Sequence, residues 1–473
     1  MENHLIQFDA YLTRTKMEHK KYQYDGVQWI ITNELRESPP HGVRGGIIAD
    51  EMGLGKTIMM IGAFICNYLP KTLIIVPPVL LEQWYAQIYK TTGHKALVYH
   101  GENKKQIGMA ELNRAIIVIT TYGAITMNKT KMEPTLLHQI KWSRMVVDEA
   151  HNLRNSKTIR AISVKKMPGK IRWFITGTPI QNTQKDLFSL YSLMKLPSRF
   201  YANKENSVAL SRDYILKRTK KQVGIVLPDV VTDKSIVNWK SAKEMKLSEE
   251  IHSALTFSKV SGNNFVNSIF AQSLKHDGSL ALLMRARQSC TYPRLMSQLI
   301  TRVHPKGENY EFYKEAFNQS SKLDYVVNKI FERKGNNCGK LIFCQFREEI
   351  DEVSRRLKEG GIQSVATFDG RTSKRDRYKI LNTKKEALIL QIQTGCEGLN
   401  LQEHYSEIYF ISPHWNPAVE DQAVARCHRI GQLKTVRVER FEMSKFIENT
   451  VTVDSYVVSV QDKKRIVADE CIA

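Results

Sequence analysis

Cysteine is scarce and scattered in this chain: seven among 473 residues, at Cys66, Cys290, Cys338, Cys344, Cys396, Cys427 and Cys471, with no CxxC pair. That spacing argues against a zinc module or a disulfide framework and for a reducing interior compartment. Long apolar stretches are also missing. The run Ile58–Leu69 falls short of the ~18–20 residues that cross a bilayer, and the opening MENHLIQFDAYLTRTKMEHK lacks the apolar centre of a signal peptide. No short-period repeat or low-complexity tract is visible. Acidic residues are in deficit, 48 against 70 Lys and Arg, giving a formal net charge of +22 and a pI near 9.5. An excess of that size calls for a polyanionic partner, nucleic acid first and an acidic membrane surface as the rival. What remains, 42% apolar and 25% charged residues, is a globular composition. The length suits two or three domains.

Two regions carry short apolar runs that alternate with helical patterns, the mark of parallel α/β sheets. The first holds RGGIIAD, TLIIVPP, ALVYHG, AIIVITTY, RMVVDEAH and IRWFITGTP; the second holds KLIFCQF, SVATFDG, ALILQIQ, EIYFISP and VRVERFEM. Between strands, REEIDEVSRRLKEGG puts Ile350, Val353 and Leu357 on one helical face, and its glycines end the helix. KLDYVVNKIFER likewise aligns Leu323, Val326, Val327 and Ile330. From about Asp186 to Ser320 the strand-like runs thin out and Lys and polar residues dominate, so a mostly helical insertion is expected between two α/β lobes.

DEMGLGKT, Asp50 to Thr57, follows the strand RGGIIA and precedes the apolar helix TIMMIGAFI. Gly53 and Gly55 let the backbone wrap a phosphate so that N–H groups and a helix N-terminus face it. Lys56 would reach the β- and γ-phosphates of ATP, and the Thr57 hydroxyl would ligate Mg²⁺. Asp50 stands where the usual pattern has its first glycine. The strand RMVVDEAH ends in Asp148 and Glu149, adjacent carboxylates that cost desolvation without a cation. A Mg²⁺–ATP site resolves this: Asp148 would hold the metal through water, and Glu149 would polarise the attacking water as general base. Late in the chain, QAVARCHRIGQ spaces Arg426 and Arg429 so that a helix would bring them to one face. Two guanidiniums side by side need an anion, and the γ-phosphate held by the first lobe is the candidate. As arginine fingers on the second lobe they would tie hydrolysis to closure of a cleft.

At this point the chain resembles a known family, the Swi/Snf-type branch of superfamily-two helicase-like ATPases, which are DNA translocases. The resemblance rests on KYQYDGVQW, DEMGLGKT, LIIVPPVLLEQW, VITTYGAI, VVDEAHNLRN, FITGTPIQN, LIFCQFREEID, FDGRTS, GCEGLNL, SPHWNP and QAVARCHRIGQ in that order, with YILKRTKKQVGIVLP, RARQSCTYPRL and KFIENTVTVDSYVVSVQDKKR as linking elements. It runs from about Lys21 to Arg465. The resemblance implies two RecA-like P-loop lobes with parallel sheets and a helical insertion between them. The boundaries it suggests are an N-terminal segment 1–19, a first lobe 20–225, a linker and insertion 226–320, a second lobe 321–445, and a brace helix and tail 446–473. It implies DNA-stimulated hydrolysis of ATP with Mg²⁺. The implied partners are double-stranded DNA and, through it, nucleosomes or other DNA-bound proteins. No membrane partner is expected, oligomeric state stays open, and a monomeric motor is compatible.

Carried over residue by residue, Gln23 would recognise adenine. The loop Asp50, Glu51, Met52, Gly53, Leu54, Gly55, Lys56 and Thr57 would hold the nucleotide. Thr176 and Thr178 would couple the site to DNA, and Gln422, Arg426 and Arg429 would complete it. Thr120, Thr121, Gln345, Arg371 and Asn400 would meet DNA phosphates, and Trp415 would lie against the DNA backbone or minor groove, its alternative being a core aromatic. KRTKK, Lys217 to Lys221, mimics a nuclear localisation signal but coincides with the family's basic segment. The chain departs from the family at Cys396 and Glu397, where two adjacent glycines are usual. Three rivals stand beside this reading: an RNA helicase, a catalytically silent DNA-binding scaffold, and a nuclease or modification enzyme with a motor attached. An intracellular location is expected, a nucleus or a viral DNA compartment ahead of others.

Overall fold

The computed structural model describes residues 2–260, 279–298, 308–381, 383–395 and 399–472. The chain divides into two compact units, 1–226 with 466–473, and 227–465.

In the first unit the strands are β1 (Arg44–Ile48), β2 (Thr72–Val76), β3 (Leu97–Tyr99), β4 (Ile117–Thr121), β5 (Trp142–Asp148), β6 (Gly169–Ile175) and β7 (Ile215–Leu216). They form one sheet in the order β3-β4-β2-β5-β6-β1-β7, and every pairing is parallel. A parallel sheet is covered on both faces, which is why its strands read as unbroken apolar runs. Met145 and Val147 enter the core on one face and Val146 the core on the other. Gly45, at φ +107°, is demanded by close approach, since a Cβ there would lie 2.1 Å from the Arg172 carbonyl oxygen of the paired strand. A buried Glu34–Arg144 ion pair, also bonded by the Trp173 indole at 2.8 Å and the Asn67 amide at 2.8 Å, fastens the helix Lys21–Leu35 to this sheet.

The second unit has β8 (Val230–Val237), β9 (Gly339–Cys344), β10 (Val365–Phe368), β11 (Ala387–Gln391), β12 (Tyr405–Phe410) and β13 (Val436–Met443). Their order is β10-β11-β9-β12-β13-β8, again all parallel. The α/β fold with two parallel sheets is therefore the one the apolar runs predict. Both helical stripes also fall as expected. Ile350, Val353 and Leu357 are buried on the helix Arg347–Glu359, and Leu323, Val326, Val327 and Ile330 on the helix Ser321–Glu332.

Two strands were not expected. β7 is two residues long. β8 lies in the stretch assigned to the linker, because only one of its eight residues is buried and it pairs on one side alone, with β13. An edge strand that faces solvent needs no apolar run. Of the helical insertion, the described helices Ala242–Ser253, Ser279–Thr291 and Glu308–Phe317 supply Leu247, Ile251, Ala286, Cys290 and Phe317 to the core of the second unit. Residues 261–278 and 299–307 of that insertion, and Cys396 and Glu397, lie outside the described residues. Among the described residues no helix is long and apolar enough to cross a membrane.

Candidate nucleotide-binding site

Beyond β1 the chain turns through residues 49–55 and enters the helix Lys56–Cys66. Gly53 at φ +92° and Gly55 at φ +80° make the turn in the left-handed region, which a side chain would oppose. Gly55 is also crowded, since a Cβ would sit 2.4 Å from the Gln23 amide nitrogen. Leu54 is buried. Gln23 donates to the Leu54 carbonyl at 3.2 Å, so the amide expected to read adenine rests on the loop itself. Lys56 folds back over the loop and donates to the carbonyls of Asp50 at 2.7 Å and Glu51 at 3.3 Å. A lysine folded over the loop it would share with a nucleotide, its charge also felt by Asp148, is placed to meet a phosphate. Thr57 is half-buried in the first helical turn.

Asp50 has its counter-ion within the first unit. It is fully buried and clamped by Arg218, with Nη2 at 2.6 Å and Nε at 3.1 Å from its two oxygens. Arg218 also donates to the Tyr22 carbonyl at 2.6 Å. Beyond β7 the same segment continues along the loop: the Ala49 N–H bonds Leu216 O at 2.7 Å, and the Glu51 N–H bonds Arg218 O at 2.9 Å. Glu51 is itself ion-paired to Lys220 at 2.9 Å. KRTKK thus braces the glycine loop from outside, with the Asp50 and Glu51 side chains as its anchors. Removing one partner of a buried ion pair leaves the other uncompensated. Arg218→Ala should therefore cost about 3 kcal/mol of stability and loosen the loop, read as an earlier urea midpoint and weaker nucleotide binding.

The two acids at the end of β5 stand in different settings. Asp148 accepts from the Trp84 indole at 2.7 Å and from the Glu149 N–H at 2.8 Å. Burial and then the neighbouring Glu149 charge push its pKa up to about 6, while the Trp84 bond, the Glu149 N–H and Lys56 oppose the rise. Glu149 sits at φ +50°, off the strand conformation, and its carbonyl accepts from the Tyr122 hydroxyl at 3.2 Å and Asn152 Nδ2 at 3.0 Å. Those bonds hold a backbone that would otherwise relax.

From Glu149 a polar chain leads to the TGTP loop. His151 Nδ1 lies 3.3 Å from Glu149 Oε2 and 3.4 Å from the Thr176 hydroxyl. The Thr178 N–H donates to the Thr176 hydroxyl at 3.2 Å, and Gln181 donates to the Thr178 hydroxyl at 3.2 Å. Gly177 is close enough to the glycine loop that a Cβ would meet Met52 at 3.1 Å and Lys56 Nζ at 3.7 Å. Sequence reasoning named Thr176 and Thr178 but missed Trp84, Tyr122, His151, Gln181 and Arg218. Each lies in a quoted motif, and a buried Asp50 or Asp148 with no sequence neighbour to neutralise it was the available signal.

In the second unit the helix Pro417–Val424 ends before the arginines, so Arg426 and Arg429 lie in the turns that follow it and not on one helical face. They are nevertheless neighbours: burial first and then the Arg426 charge lower the pKa of Arg429. Arg429 donates to the Asn400 side-chain oxygen. Gln422 is 3% exposed, and its amide nitrogen is buried without a partner. Gln432 fixes the turn by donating to the carbonyls of Gln402, Tyr405 and Cys427 at 3.1, 3.0 and 3.2 Å.

The residues expected to touch DNA are used internally to different degrees. Thr120 is 0% exposed and donates to Tyr99 O at 2.8 Å; the buried Thr121 pairs with His100 at 3.0 Å. Both hydroxyls thus bond at the end of β3, one to its last carbonyl and one to the histidine that follows it. The Arg371 guanidinium is shared between Asp369 and Asp351, at 2.6 and 2.8 Å. Trp415 is half-buried, edge-on to Tyr456 with ring centres 6.1 Å apart and beneath Arg287. Gln345 is half-buried at the end of β9, where its N–H and that of Phe346 donate to Glu349 at 2.8 and 2.9 Å.

Glu349 carries a pH dependence. Burial pushes its pKa up to about 7, against the pull of the Phe346 and Gln345 N–H bonds and of Lys322 and Arg287. A folded pKa above the unfolded one means stability that is full below about 4.5 and is lost as pH rises to about 7. Glu349→Gln keeps a carbonyl acceptor and removes the charge. Its unfolding free energy in urea titrations should match the parent's at low pH and exceed it above neutrality, by roughly 3 kcal/mol at most. Identical profiles for the two proteins would contradict this.

Glycine loop, acid-tipped strand and two parallel sheets define a two-unit P-loop α/β protein. The SNF2-related domain matches residues 22–205, and the helicase conserved C-terminal domain matches residues 321–431. The chain thus carries an SNF2-related domain followed by a helicase conserved C-terminal domain. Among its relatives, an uncharacterized ATP-dependent helicase of Mycoplasma genitalium is 30% identical over 94% of this chain and 42% of its own length. The ATP-dependent DNA helicase DDM1 of Arabidopsis thaliana is 28% identical over 92% and 60%, and the putative ATP-dependent helicase/translocase YwqA of Bacillus subtilis 27% over 92% and 47%. The chain thus spans about half the length of these relatives. Its likeness to the Sulfolobus solfataricus SWI2/SNF2 ATPase core in complex with dsDNA, at 24% identity and a TM-score of 0.40 over 96% of both chains, adds nothing to the fold read from the sheets.

Proposed function

We propose that the chain is a DNA-stimulated ATPase that moves along double-stranded DNA. The observation that carries this reading is Lys56 lying across its own loop carbonyls with the Asp148–Glu149 pair beside it, within an SNF2-related domain. Lys56 exchanges those carbonyls for the β- and γ-phosphates of ATP. The oxygen donors Thr57 and Asp148 suit Mg²⁺, and a carboxylate held up by a neighbouring acid gains from a divalent cation. Bound Mg²⁺ supplies neutralisation of charge on the phosphates. Glu149 takes the proton of the attacking water, with His151 holding its carboxylate. Arg426 and Arg429 stabilise the charge that develops on the transferring phosphoryl group, and the otherwise unpartnered Gln422 amide orients there.

The strand-end loops with Gln345, Arg371 and Asn400 grip DNA phosphates. Phosphates carry no sequence information, so binding is nonspecific and weakens steeply with salt. The chain works where reducing conditions and duplex DNA coexist, a nucleus or a viral DNA compartment, and nucleosomes or other DNA-bound proteins are its obstacles or cargo. ATP turnover without polymer, with single strands, with duplex, with RNA and with nucleosomes tests the reading. Duplex should stimulate most; a preference for RNA would overturn it in favour of an RNA helicase, and no turnover at all in favour of a silent scaffold.

A further inference from the structure

We propose that the helix Lys374–Leu381 of the second unit is a separate contact for single-stranded nucleic acid. The stretch 371–385, RTSKRDRYKILNTKK, holds seven cations and one acid. Its one acid, Asp376, is taken up by the Ser373 hydroxyl at 2.6 Å. Arg377 turns inward, over the Phe368 ring at 5.0 Å and onto the carbonyls of Thr372 and Asp369 at 3.0 and 3.2 Å. Arg375, Tyr378 and Lys379 point the other way. They stand at positions i, i+3 and i+4, hence on one face, and all three are exposed, Tyr378 to 74%. Lys384 is a further exposed cation after the helix.

This arrangement differs from the other exposed charged helix of the unit. On Arg347–Glu359, Arg355 pairs with Glu352 and Glu359, and Arg356 pairs with Glu352 and Asp324. Among the described residues Arg375 and Lys379 make no such pairs. Arg375 and Lys379, with the flat ring of Tyr378 on the same face, match a backbone of phosphates flanking an exposed base. The ring selects the ligand: in a duplex each base face is already stacked on its neighbours, while an unpaired base offers its face to Tyr378. Cations alone would take either form. The inference stands apart from the ATP site, and its failure would leave the translocase reading untouched.

The test is fluorescence anisotropy of the full chain on labelled oligo-dT and on a duplex, across a salt series. Tyr378→Ala should weaken oligo-dT binding about fivefold or more, the low end of one base stacked on an aromatic ring, while duplex binding stays within about twofold. Tyr378→Phe, which keeps the ring, should bind oligo-dT like the parent. Arg375→Gln with Lys379→Gln should flatten the slope of log affinity against log salt by about 1.4 for the single strand, two phosphate contacts' worth. Equal losses on strand and duplex in Tyr378→Ala, or an unchanged salt slope in the double variant, would overturn the proposal.

Discussion

Glu149→Gln should lower ATP turnover by about 10²- to 10⁴-fold, the usual weight of a positioned general base, while nucleotide binding changes little. The substitution is nearly isosteric, so the backbone at φ +50° and its bonds from Tyr122 and Asn152 should persist. A glutamine can still approach His151, but it cannot accept a proton from water. Two measurements separate the outcomes: equilibrium binding of a fluorescent nucleotide and single-turnover hydrolysis. A protein that binds and hardly hydrolyses fits the assignment. Near-normal turnover would remove Glu149 from the role of base.

The second large effect is expected at the other end of the chain. Arg429→Ala should cut turnover by about 10³-fold, the lower part of the range for an arginine that stabilises a transferring phosphoryl group. ATP affinity should stay within a few-fold, since the contact matters mainly in the transition state. The structure adds a prediction of its own. Arg429 is held beside a second arginine, which lowers its pKa together with burial. Truncating it relieves that repulsion, so the variant should melt no earlier than the parent. A selective loss of ATP affinity with normal turnover would contradict the role.

The parts legible in the sequence were those whose physics is local. Unbroken apolar runs foretold the central strands of both sheets, because a parallel strand buried on both faces has no polar side to show. The glycine loop announced itself by residue type, since Gly53 and Gly55 occupy backbone conformations that other residues resist. What stayed hidden depended on partners far along the chain. Asp50 looked like a departure from a phosphate loop, yet it is the buried half of an ion pair whose other half, Arg218, is 168 residues away. β8 was invisible because an edge strand carries polar residues on its open side.

The arginine pair shows both sides. Its members are close enough to feel one another, as their spacing suggested. They are brought together by a turn that Gln432 pins to three carbonyls, and not by the helical face that the spacing implied. Thr120 and Trp415 carry contacts that sequence does not show: the Thr120 hydroxyl bonds the Tyr99 carbonyl in β3, and the half-buried Trp415 lies edge-on to Tyr456. The acidic pair Asp148–Glu149 was legible as chemistry, but its supports at Trp84 and Tyr122 come from neighbouring strands and helices.

On the function proposed above, ATP hydrolysis drives movement along an intact duplex. Displacement of a third strand from a DNA triplex measures this without requiring the duplex to open. The parent protein should release the third strand in ATP, fail to do so in ADP, and fail in either nucleotide once Glu149 is replaced by glutamine. Duplex-stimulated hydrolysis with the third strand left in place would contradict the claim.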